Sequence, residues 1–185
     1  MSRNAGTARS AGPNRNAPFG GVAADSVDVA IVVECPDWEH IADLQQAIGD
    51  AATGAVLAGL GQAPRAGRRS VVVALLADAD VRALNLQFRG KDMATNVLSF
   101  PSARRPGQPA ADVDALGDIA LAYETMAGEA WDRGITLLDH VRHLVVHGVL
   151  HLLGYDHETE AEAVSMETLE TQILARIGVA DPYAS

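Results

Sequence analysis

The sequence predicts a single α+β domain, one mixed sheet of about four strands packed with about five helices. At 185 residues the chain is long enough for one domain with a real hydrophobic core and short for two. Runs with the two-residue period of a strand and runs with the helical period are mixed, and two strand-like runs stand close together in mid-chain, as one sheet backed by helices requires. This pattern leaves the strand order open.

Val27 to Val33 alternates apolar with other residues, as a half-buried strand does, and Pro36-Asp37 opens a turn into a helix expected from Trp38 to about Leu60. Gly61 to Gly67 is rich in Pro and Gly and reads as a loop, followed by the strongest strand in the sequence, Ser70 to Ala77. Asp78 is placed to cap a helix that carries Val81, Leu84, Leu86 and Phe88 and stops near Gly90. Two short strands follow, Asn96 to Phe100 and Asp118 to Ala122, with exposed-turn composition between them. Helices close the chain at Glu124 to Arg133, Leu137 to Leu153 and Glu160 to Ile177. In the last, Val164, Leu169, Ile173 and Ile177 make the apolar stripe, with Met166 close to it and glutamates opposite. Residues 1–25 read as a disordered tail, 26–180 as the folded domain and 181–185 as a short C-terminal tail.

Composition narrows the class. Apolar residues make up 48% of the chain, but no run approaches the roughly 20 residues of a membrane span. The first residues carry arginines without the apolar stretch of a secretory signal. A single cysteine, Cys35, excludes an internal disulfide and fits the reducing cytoplasm, and its place after an apolar run reads as a buried, inert thiol. The net charge of −10 argues against nonspecific binding of nucleic acid, which cations drive. The charges are uneven, however: acids crowd between Asp156 and Asp181, whereas Arg65, Arg68, Arg69, Arg82, Arg89, Lys91, Arg104 and Arg105 precede them, so a local basic face is compatible with the sequence.

The segment from His143 to His157 carries the chemistry. His147 and His151 lie four residues apart on one helical face, near enough to share one metal ion. Gly154 then permits a left-handed turn that brings His157 back toward them, so the site falls on a helix and the turn after it. His143 is also four residues from His147, but it stands roughly 12 Å along the axis from His151, too far for both to bind one ion at about 2 Å. It reads as a buried or second-layer residue, and His140 and His40 as structural or exposed. Three histidines without an obvious fourth ligand suit one Zn²⁺ with an open position, a catalytic type of site. The spacing equals that of the metzincin peptidase motif, but Gly148 stands where a peptidase needs its glutamate base.

Two long motifs resemble a known family. HGVLHLLGYDH at 147–157 and LNLQFRGKDMATNVLSFP at 84–101, followed by Gly117-Asp118-Ile119 and the late Met166 and Glu170, are similar to the YbeY endoribonucleases, bacterial factors of ribosomal RNA maturation and ribosome quality control. The resemblance covers roughly residues 26 to 178. It implies a metal-dependent endoribonuclease acting on single-stranded RNA, including the 3′ end of 16S ribosomal RNA, with zinc on His147, His151 and His157 and with the ribosome or ribosome-associated proteins as partners. The family's functional arginine falls on Arg89, whose permanently charged guanidinium suits a scissile phosphate. His147 and Arg89 are then the catalytic candidates, and Asn96 and Ser99 candidates to line the cleft or, as polar residues at a strand start often do, to satisfy backbone groups. Asp156 either orients a ligand histidine through its other ring nitrogen or caps the next helix. Lys91 and Arg104-Arg105 either track a phosphate backbone or belong to a solvated loop. Ala94 replaces the family's usual proline, and the acidic balance favours delivery to RNA by a partner.

A competing reading is a ribosome-assembly or binding factor with a structural zinc and weak nuclease activity, which a fourth protein ligand would favour. Another is a metal hydrolase of a different phosphoester or amide, which would have no need of Arg89. The nucleophile, water or the RNA 2′-hydroxyl, is open at this level.

Overall fold

The computed structural model describes residues 26–61, 67–103 and 113–184. The expected N-terminal tail, Arg65 and the Arg104-Arg105 pair lie outside the described residues. The chain runs β1 (Ser26–Val33), a 3₁₀ turn (Pro36–His40), α1 (Leu44–Gly59), β2 (Arg68–Leu76), α2 (Asp78–Arg89), β3 (Val97–Pro101), β4 (Val113–Ala122), α3 (Tyr123–Arg133), α4 (Leu137–Leu152) and α5 (Glu160–Arg176). The four strands form one mixed sheet in the order β1-β2-β4-β3. β1 and β4 pair with β2 in parallel, and β3 returns antiparallel along β4.

Alternation along the inner strands divides the apolar side chains between two faces. Val71, Val73 and Leu75 of β2 and Ile119 and Leu121 of β4 enter the main core with α1, α4 and α5. Leu76, Leu98, Ala120 and Ala122 meet Val81 of α2 on the other face. α4 is buried almost all round, with Val141, Val145, Val146, Val149 and Leu150 fully enclosed. Its histidines, His140, His143, His147 and His151, recur at three- and four-residue spacing and so share a stripe. No helix among the described residues is long and apolar enough to cross a membrane. Cys35 is buried at the end of β1.

The structure corrects four expectations. The helix expected from Trp38 is broken: residues 36–40 make a 3₁₀ turn, and Asp43 adopts a left-handed conformation, φ 59°, before α1 begins. Trp38 explains the break, because its indole is 1% exposed, its Nε1–H donates to the Leu76 carbonyl at 3.0 Å, and its ring meets Tyr123 edge-on. A tertiary contact of this kind overrides helical propensity. β4 begins at Val113 rather than Asp118, with residues 113–115 paired to Arg68–Ser70 before a register shift between Ser70 and Val71. The bulge breaks the alternation that would reveal the longer strand.

Asp78 does not cap its own helix. Its carboxylate accepts from the backbone N–H and hydroxyl of Thr125 at the start of α3, at 3.0 and 2.7 Å, while Glu124 accepts the N–H of Asp78 at 2.8 Å. The two helix starts thus cap each other. In α5 the buried face is Met166, Glu170, Ile173 and Leu174, with Val164 at 58% exposure, so one glutamate has left the polar face and taken a core position.

Asp78→Ala is expected to cost about 1–2 kcal/mol in chemical denaturation, the usual loss for an N-cap. Asp28→Ala, which breaks only the exposed pair with Arg68, should cost less than about 0.5 kcal/mol.

Candidate metal centre

Local rules bring the three histidines together. Thr136 caps α4 by accepting from Asp139, which starts the helix so that His147 and His151 emerge one turn apart near its C-terminal end. After Leu152 the chain reverses at Gly154, φ +91°, with the Gly154 N–H on the His151 carbonyl and the Tyr155 N–H on that of Leu150. The Tyr155 hydroxyl donates to the Gly59 carbonyl at 2.9 Å and fastens this turn to the end of α1. One nitrogen of each of His147, His151 and His157 then lies within 4.8 Å of the others. Among the described residues these three donors form the cluster.

Hydrogen bonds fix two of the rings. The Nδ1 of His151 faces the Tyr155 carbonyl at 3.0 Å, and a carbonyl only accepts, so this nitrogen carries the proton. The Nδ1 of His147 faces Oε1 of Glu170 at 2.8 Å and donates likewise. In its neutral form each ring therefore presents a bare Nε2, and the two Nε2 atoms stand 3.0 Å apart. Two lone pairs facing each other repel unless a proton or a metal cation lies between them. With His157 at their side, this donor set fits Zn²⁺. Burial, with the neighbouring His147 and His157 adding to it, holds His151 below the ordinary histidine range, so the ring is neutral and free to ligate at pH 7.

Glu170 is fully buried, and burial pushes its carboxyl up. Hydrogen bonds from His143, His147 and Tyr183 outweigh that and bring it down to about 2, so it stays ionised. His143, expected as a buried second-layer residue, bonds Oε2 through its Nε2 at 3.3 Å. An imidazole whose other N–H donates to a carboxylate is the usual arrangement by which a histidine is oriented and made more basic for metal ligation.

The histidines open into a cleft of about 530 Å³ whose lining includes Arg89, Thr95, Asn96, Ser99, Asp156 and Glu158. Arg89 ends α2, where the helix dipole favours a cation, and its Nη2 donates to the Ser99 carbonyl at 3.3 Å. Among the described residues no carboxylate bonds it. Asn96 lies on the wall, its amide nitrogen held by both oxygens of Glu129 and its Oδ1 by the Val97 N–H. Ser99 is nearly buried and donates its hydroxyl to the Gly148 carbonyl at 3.3 Å. The Asp156 carboxylate accepts from the His157 backbone N–H at 2.8 Å, and α5 is capped by Thr159. His140 is buried against Glu129 and His40 is exposed. Lys91 lines a smaller recess that shares Arg89, Thr95 and Val97 with the cleft.

Gly148 marks the difference from a peptidase. A Cβ there would meet Ile119 at 3.0 Å and the Ser99 hydroxyl at 3.1 Å, so α4 packs closely on β3 and β4 at this position and any side chain would have to displace those two. Sequence reasoning gave no role to Glu170, Glu129, Tyr183 or the Tyr155 carbonyl. Only Glu170 left a trace: it stands four residues after Met166 and three before Ile173, inside an apolar stripe.

The model of the family Endoribonuclease YbeY matches residues 38–178. The endoribonuclease YbeY of Paramagnetospirillum magneticum is 47% identical over 162 residues, which cover 85% of this chain and 96% of that protein. That of a Jannaschia species is 48% identical over 166 residues, 85% of this chain and all of its own length. That of Rhodospirillum rubrum reaches 60% over 109 residues, 58% of this chain and 54% of that protein. On a match that spans β2, β3 and β4, the cleft and all three histidines, the chain belongs to the YbeY endoribonuclease family.

Proposed function

We propose that the protein is a zinc-dependent endoribonuclease that cuts single-stranded ribosomal RNA, in maturation of the 3′ end of 16S RNA and in ribosome quality control, in the cytoplasm. The observation that carries this reading is the pair of bare Nε2 atoms of His147 and His151, held 3.0 Å apart by fixed tautomers beside His157, in an open cleft with Arg89 on its lining. The relatives' name supplies the substrate class.

His147, His151 and His157 would hold one Zn²⁺ ion, and when bound the ion would act as a Lewis acid on the scissile phosphate and its nucleophile. The protein's own residues do the rest. Glu170 and the Tyr155 carbonyl keep the Nδ1 protons in place and so keep the ligand nitrogens bare. Arg89 pairs with phosphate oxygens and stabilises the charge that gathers on them as the bond breaks. Ser99 serves this arginine through its backbone carbonyl and locks β3 to α4 through its hydroxyl. Asn96, clamped by Glu129, gives the wall a fixed shape on which the sugar-phosphate chain lies.

The charge balance shapes how RNA arrives. Asp156 and Glu158 line the cleft beside Arg89, and the whole chain carries −10. Such a surface supplies little of the cation-driven affinity that holds a free nuclease on RNA. The ribosome or a ribosome-associated protein therefore brings the substrate, and the cleft selects for unpaired strand.

Cleavage of a single-stranded ribosomal RNA fragment, with bound metal quantified, tests the reading. Wild type should cleave, His147→Ala should lose both metal and activity, and Arg89→Glu should keep its metal and lose on the order of 10²–10³-fold in rate. Cleavage at the wild-type rate by both variants would place the chemistry elsewhere, and metal-loaded wild type without cleavage, alone or on ribosomes, would favour the assembly-factor reading. The metal-free chain has a second expected signature. The folded pKa of His151 is depressed, so the unfolded chain takes up that proton first. Its contribution to stability is full above about pH 6.5 and is lost as pH falls through the lower folded value, and an NMR titration should find its midpoint below about 6.5.

A further inference from the structure

We propose that Tyr183 is a positioning residue for the metal centre, acting on His147 through Glu170. The proposal rests on the metal-centre reading above and adds a part beyond residues 38–178, where the family model ends.

The last described residues, expected from sequence to be a tail, are fastened. Oδ1 of Asp181 accepts from the Tyr183 N–H at 2.9 Å and from the Thr171 hydroxyl at 3.3 Å, which fixes the turn against α5. The Pro182 carbonyl accepts from Arg133 at 2.9 Å, which fixes it against the end of α3. Between these two ties the Tyr183 ring stands edge-on to His143, centroids 5.7 Å apart, and its hydroxyl donates to Oε2 of Glu170. The ring therefore runs from the surface to a carboxylate that has no exposed area of its own.

Glu170 divides its oxygens. Oε1 takes the Nδ1–H of His147 at 2.8 Å, and Oε2 takes the Tyr183 hydroxyl and, at a longer 3.3 Å, His143. An enclosed carboxylate has no water with which to replace a lost donor, and an unmade bond there costs its full desolvation. Without the hydroxyl, Oε2 keeps only the long contact to His143. The group then rotates to shorten that contact, and as Oε2 closes on His143, Oε1 is drawn off the Nδ1–H that holds His147 in its ligating tautomer. Tyr183→Phe removes that donor, and with it the hydroxyl's 3.5 Å contact to the His143 Nε2, and keeps the ring edge-on to His143.

The test uses the full chain as wild type, Tyr183→Phe, Glu170→Gln and the double variant. It reads the dissociation constant for Zn²⁺ by competition with a chromophoric chelator, and the ring ¹⁵N shifts of His147 in metal-free protein. Losing the carboxylate that orients a ligand histidine costs about 10–100-fold in metal affinity, and a residue one step further out should cost about 3–10-fold. Tyr183→Phe should show that weakening together with loss of the pure Nδ1–H tautomer, and the double variant should bind no more weakly than Glu170→Gln alone. A Tyr183→Phe penalty of the same size in the Glu170→Gln background would mean that the tyrosine acts by packing, and would overturn the proposal. Unchanged affinity and unchanged shifts in Tyr183→Phe would overturn it too. If wild type binds no Zn²⁺, the metal-centre reading falls, and the His147 shifts alone then decide for or against Tyr183.

Discussion

A carboxylate with no exposed surface, Glu170, sits where α4, α5 and the chain end meet, and much of the centre's geometry follows from it. A buried charge is tolerated only if it is surrounded by donors. That demand explains why α5 turns Glu170 inward and leaves Val164 in water. It explains two otherwise odd histidines in an enclosed helix, His143 and His147, each spending a ring nitrogen on the same group. The consequence reaches the cleft, because a histidine with one nitrogen committed has the other free and aimed.

The walls of the cleft are held by a second set of polar ties, outside the main core. Exchanged caps lock the starts of α2 and α3 together, and α2 then delivers Arg89 at its far end. Glu129 of α3 clamps Asn96 at the start of β3 and His140 on α4, so one carboxylate ties three elements behind the cleft. Each tie joins an element that carries a cleft residue to one that does not. The site is thereby pre-organised by side chains that never face substrate, which is what transition-state electrostatics needs.

Much of this was legible in the sequence, for identifiable reasons. The helix of His147 and His151 and the turn at Gly154 are local devices, and local devices are written locally. The broken helix after Trp38 was not legible, because the acceptor that satisfies its indole, the Leu76 carbonyl, is 38 residues away in sequence. The first part of β4 was hidden by the register shift and by polar composition that suits a turn as well as a strand. Asp78 looked like a cap and is one, but for α3, a helix that only the fold brings near. At the centre the clustering of His147, His151 and His157 could be read, whereas the hydrogen bonds that orient them could not. Glu170 bonds His147 across 23 positions, and Tyr183 reaches His143 across 40, distances at which periodicity carries no signal.

Anomalous diffraction at the zinc edge from crystals grown with the ion would locate the metal and its ligands. A single peak is expected, bounded by Nε2 of His147, Nε2 of His151 and a ring nitrogen of His157, with the remaining position facing the cleft toward Arg89 and filled by water or an exchangeable anion. A peak held by a fourth protein side chain, or one away from these histidines altogether, would contradict it.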